Sequence, residues 1–63
     1  MRWNEFKEGG TSWYGGFNDL GMLLVRILPD GEIWKVLRPP KDEVECYFDT
    51  LEHAKAWSEK YIK

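Results

Sequence analysis

Met22-Leu23-Leu24-Val25-Arg26-Ile27-Leu28-Pro29-Asp30-Gly31-Glu32-Ile33-Trp34-Lys35-Val36-Leu37-Arg38 holds two β-rich runs separated by proline, aspartate and glycine. Proline presets φ for the second position of a type I turn, aspartate suits the third, and glycine accepts the left-handed position of a G1 bulge. The stretch therefore predicts a β-hairpin. In the register this turn sets, Ile27 lies opposite Ile33, Val25 opposite Lys35 and Leu23 opposite Leu37. The other face carries Met22, Leu24, Arg26 and Leu28 against Trp34 and Val36. Neither face is polar throughout, so both need cover.

Downstream, Pro39-Pro40 stops the strand, because neither residue can donate to a ladder. Residues 44–48 alternate, with Val44, Cys46 and Phe48 to one side and Glu43, Glu45 and Tyr47 to the other, which predicts a half-buried strand with an acidic outer face. Asp49-Thr50-Leu51-Glu52 reads as a capping box with aspartate as the cap. Leu51, Ala54, Trp57, Tyr61 and Ile62 then fall within about 140° of a helical wheel and form a core-facing stripe. Acids come early and lysines late, with Asp49 and Glu52 at the start and Lys60 and Lys63 at the end, as the helix dipole prefers.

Upstream, residues 12–17 form a further strand carrying Trp13, Tyr14 and Phe17, and Gly15-Gly16 marks a bulge or a close backbone approach. Trp3 and Phe6 stand three apart, which suits a helical turn ended by Gly9. The fold class that follows is α+β: a small antiparallel β-sheet of three to four strands with one C-terminal amphipathic α-helix on one face, all in a single domain over residues 1–63.

A chain of 63 residues buries only about 60% of its unfolded surface, so its core is thin. Cys46 and His53 are the only cysteine and histidine, so no internal disulfide forms and no four-ligand zinc site of those residues exists. Ten aromatic residues supply bulk in place of cross-links. The net charge of −2 and the lack of a Lys/Arg run argue against nonspecific nucleic-acid binding. No apolar run approaches a membrane span, and a lone cysteine suits a reducing interior, so a cytoplasmic location is expected.

Catalysis finds little support. Cys46 and His53 are seven apart, without a separate orienting carboxylate, and Cys46 reads as a small buried hydrophobe. Asp49, Glu52 and His53 at the helix start read as capping chemistry, not as metal ligands. The acids at 42, 43, 45, 49 and 52 form a solvated face or a docking surface for a basic protein. The glycine pairs match no phosphate-binding fingerprint. No enzyme, cofactor or metal is expected.

The closing stretch Phe48-Asp49-Thr50-Leu51-Glu52-His53-Ala54-Lys55-Ala56-Trp57 looks like the strand-into-helix ending of many small phage and bacterial sheet-plus-helix proteins. The HicB-type antitoxin domain ends its sheet similarly, but the proline-glycine motif between its strands has no counterpart here.

The expected function is protein binding, by a second copy of the chain or by a host protein. The contact residues are Arg26 and Trp34, with Met22, Leu24, Val36, Trp13 and Tyr14 around them. A phage accessory protein that inhibits a host or defence protein by occupying its surface suits this size. The alternative is single-stranded nucleic acid stacked on Trp13, Tyr14 and Trp34, with Arg26, Lys35 and Arg38 on phosphates.

Overall fold

Pro29 does not occupy the hairpin turn. In the computed structural model, which describes residues 1–62, Pro29 pairs with Trp34 inside the ladder and Asp30 pairs with Ile33. The turn is the two-residue Gly31-Glu32, with φ of +66° at Gly31, as a type II′ turn requires at its first central position. Ile27 therefore lies opposite Val36 and Arg26 opposite Leu37, three residues out of the expected register. An odd shift exchanges the two faces of the partner strand. Pro29 is tolerated because it belongs to the pair next to the closing one, where N–H groups point away from the hairpin partner. On that outer side the ladder with the preceding strand has already ended at Ile27.

The sheet has five strands, one or two more than expected, in the order β1 (Arg2–Glu8), β2 (Thr11–Phe17), β3 (Leu23–Asp30), β4 (Ile33–Arg38) and β5 (Glu43–Phe48). Each pairs antiparallel with its neighbour in sequence. The helical turn expected around Trp3 and Phe6 is instead the edge strand β1. It joins β2 through Gly9-Gly10, whose φ values of +54° and +82° make a type I′ turn. Trp3 and Phe6 point to opposite faces, and each finds aromatic or apolar company there. A strand used on both faces shows no alternation.

Helix α1 (Leu51–Tyr61) follows β5 and packs across β3, β4 and β5. Its cap is Thr50, not Asp49: the Thr50 hydroxyl accepts the His53 backbone N–H at 3.1 Å. The buried stripe is Ala54, Ser58 and the C-cap Ile62, with Leu51 and Trp57 half-buried, while Tyr61 is exposed. Two small residues at i and i+4 let the helix lie close on the sheet. Ser58 satisfies its buried hydroxyl by donating to the Ala54 carbonyl at 2.8 Å. Beneath them Val25, Ile27 and Val36 are fully buried and form the core. Trp3, Tyr14, Leu24, Trp34 and Phe48 pack around it.

Two irregularities redirect side chains. Between β2 and β3 the register shifts at Gly16/Phe17, which leaves Leu24 unpaired and packed toward the helix side. Between β4 and β5 it shifts at Val36/Leu37, so Leu37 pairs with Val44 and Val36 with Cys46. Val44 therefore leaves the face of Cys46 and Phe48, and stands on the opposite side, exposed.

Candidate functional site

The helix covers one side of the sheet, and no layer covers the other among the described residues. On this open face Phe6 stacks on Trp13 with ring centroids 4.3 Å apart and planes 17° apart. Phe17 packs against Phe6 at 6.2 Å. Phe6, Phe17 and Leu23 close over Gly15, where a side-chain carbon would meet Leu23 at 3.0 Å. The glycine is a socket that lets neighbouring rings rest on backbone.

Arg26 joins this cluster to the far loop. Its guanidinium carbon lies 4.6 Å from the centre of the Trp13 ring. Its Nη1 donates to Asp42 Oδ2 at 2.6 Å. Asp42 reaches it from a backbone position with φ of +55°, the left-handed region that aspartate tolerates better than most residues. Trp13 Nε1, Arg26 Nε and Asp42 Oδ1 are buried and have no hydrogen-bond partner among the described residues.

Beyond Arg26 the face is more open. Leu37 is buried, but Ile33, Val44 and Tyr47 are exposed. Lys35 stands among them, opposite Leu28 on one side and Tyr47 on the other. It forms no ion pair among the described residues. Half of the open face is thus finished by its own aromatic cluster, and the β4–β5 half carries apolar groups into solvent around one cation.

The residues expected at the contact site divide between surfaces. Arg26 and Trp13 are together on the open face. Trp34, Val36 and Tyr14 are on the helix face, where Val36 is core and Tyr14 meets Trp34 edge-on at 5.9 Å. Leu24 packs toward the helix side from its bulge. Met22 is exposed in the β2–β3 loop, beside Leu20. That loop is pinned by Asn18 Oδ1, which accepts the backbone N–H groups of Leu20 and Met22 at 2.9 Å each. Trp34 and Arg26 therefore do not face each other, because the three-residue shift moves Trp34 to the other side. The stacking set for nucleic acid divides the same way, with Trp13 on one face and Tyr14 and Trp34 on the other. Ile33 and Val44 escape the sequence reading because their faces follow from the turn and the bulge, whereas Lys35 reads there only as a phosphate contact and Tyr47 stands on the outer side of its strand, as the structure has it.

No group of three or more His, Cys, Asp or Glu side chains converges among the described residues. Cys46 is half-buried, with its thiol 3.8 Å from the Tyr47 carbonyl. The Tyr14 phenol is held above its ordinary value by desolvation, reinforced by the Glu5 carboxylate that accepts its hydrogen bond at 3.4 Å. No helix of the described residues is long and apolar enough to cross a membrane. Compared with known proteins, the chain matches no family model, no curated protein and no solved structure.

Proposed function

We propose that this chain is a non-enzymatic protein-binding module that docks a different protein on the open face of its sheet. The observation that carries the reading is the β4–β5 half of that face, where Ile33, Val44 and Tyr47 are exposed around Lys35, which forms no ion pair among the described residues. Apolar groups gathered around one cation favour a partner that is itself apolar there and offers a carboxylate to Lys35. A two-fold stack of this face on itself is less favourable, since it brings the two Lys35 ammonium groups toward each other. The aromatic cluster with Arg26 and Asp42 gives the contact surface a firm border, and rigid surroundings lower the ordering cost of binding.

Occupying another protein's surface is the mode of action that suits such a module, and an inhibitor of a host or defence protein is one form of it. Affinity capture with the wild-type chain, Lys35→Glu and Tyr47→Ala tests the reading. Capture that depends on both residues, with the chain monomeric by light scattering, supports it. Capture indifferent to both substitutions, or a stable homodimer broken by them, contradicts it.

A further inference from the structure

On the helix face, the β1–β2 edge that α1 reaches only with its side chains holds a second arrangement. Trp3 and Tyr14 lie on β1 and β2, while the helix packs on β3, β4 and β5. Between the two rings sits the ammonium of Lys55, 4.9 Å from the centre of Tyr14 and 5.5 Å from that of Trp3. Each ring is held by its polar atom. Trp3 Nε1 donates to Glu59 Oε2 at 3.2 Å, and the Tyr14 hydroxyl donates to Glu5 Oε2 at 3.4 Å. Tyr14 is held further by the edge of Trp34, at 5.9 Å. Lys55 itself forms no ion pair among the described residues. Its charge rests on aromatic faces rimmed by two carboxylates.

We propose that Trp3 and Tyr14 form a binding site for a methylated ammonium group, which Lys55 occupies from within the chain. Two π faces attract a cation through the ring quadrupole. The Glu5 and Glu59 carboxylates at the rim favour positive over neutral ligands, and their hydrogen bonds pre-position the rings. A lysine ammonium suits this place poorly, because it is strongly hydrated and its three N–H donors find no acceptor on a ring. A trimethylated ammonium has no N–H to satisfy and loses less hydration there. It therefore displaces Lys55, whose flexible stem swings into solvent. The ligand is either a methylated lysine of a protein or a free quaternary ammonium compound, which share this chemistry.

The test is a titration of the full chain with tetramethylammonium chloride, followed by the indole N–H resonance of Trp3, against sodium chloride at equal ionic strength. A saturable shift with tetramethylammonium and none with sodium is expected. Lys55→Ala should tighten it by about two- to fivefold for each of the two exposed cation–π contacts that Lys55 gives up. Tyr14→Leu should abolish it with circular dichroism unchanged; if that variant unfolds, the comparison of wild type with Lys55→Ala decides alone. A trimethyllysine peptide that binds more tightly than choline identifies a protein ligand, and the reverse order a small molecule; either supports the site. Equal responses to sodium and tetramethylammonium, or Lys55→Ala binding no more tightly than wild type, overturns it.

Discussion

The guanidinium of Arg26 lies over the ring of Trp13, 4.6 Å from its centre, while the same group binds Asp42 across the sheet. Arg26 sits on β3 between a neighbour on β2 and a loop beyond β4, so one side chain ties three segments on the face that lacks a helix. Arg26→Ala is expected to destabilise the fold by about 1–2 kcal/mol, an order expected from one cation–π contact plus a partly exposed ion pair. Arg26→Lys should recover only part, because an ammonium cannot lie flat on the indole. Urea melts of the three proteins check this; equal midpoints would remove Arg26 from the stability of the open face.

Close approach of α1 through Ala54 and Ser58, both fully buried, makes helix packing sensitive to added volume. Ala54→Leu should cost about 1–3 kcal/mol through overpacking against Val25, Ile27 and Val36. Ser58→Ala should change stability by less than about 1 kcal/mol, because its hydroxyl bonds only the preceding helical turn. Thermal melts that tolerate Ala54→Leu would mean that the helix rests elsewhere on the sheet.

Gly15 and Gly16 differ in what lies above them. A carbon added at Gly16 would stand 2.7 Å from Val25 Cγ1, a fully buried and stiff side chain. One added at Gly15 would meet the outer atoms of Leu23, Phe17 and Phe6 at 3.0 to 3.2 Å. Gly16→Ala should therefore destabilise by about 1–3 kcal/mol, and Gly15→Ala by clearly less. The order of their denaturation midpoints is the check.

Much of the fold is legible in the residues, and the site much less so. The helix is legible because charge order and apolar stripe agree, although the cap is Thr50 rather than Asp49, Tyr61 projects outward and Ser58, a polar residue, fills its place in the core. The antiparallel order is legible from the punctuation. The faces are not. Pro29-Asp30-Gly31 is compatible with a turn that includes the proline and with one that begins after it, and only the second occurs. That choice moves Trp34 from the side of Arg26 to the helix side. At β5 the bulge moves Val44 the other way, from the side of Cys46 and Phe48 to the open face. A bulge depends on how neighbouring strands twist and pack, so local patterning does not reveal it. β1 is hidden for a different reason: its apolar residues Trp3 and Phe6 serve both faces, and their spacing imitates a helical turn.

The Tyr14 phenol has a raised pKa, so the folded chain holds its proton more tightly than the unfolded chain does. Its contribution to stability is complete below the ordinary value of 10.0 and is lost as pH rises through the folded-state value. A difference titration of wild type against Tyr14→Phe should place this ionisation above 10.0, and Glu5→Gln should lower it. Ionisation of Tyr14 at or below 10.0 would mean that neither desolvation nor Glu5 acts on it.

The most direct test of binding through the open face is partner capture by four proteins of equal fold: wild type, Ile33→Glu, Tyr47→Glu and the helix-surface control Glu52→Lys. Each substituted residue is exposed, so melting temperatures should stay close to that of the parent. The expected result is capture by wild type and Glu52→Lys, and loss of at least about thirtyfold in affinity for Ile33→Glu and Tyr47→Glu, the cost of a hot-spot contact. Undiminished capture by both open-face variants, or loss confined to Glu52→Lys, would contradict it.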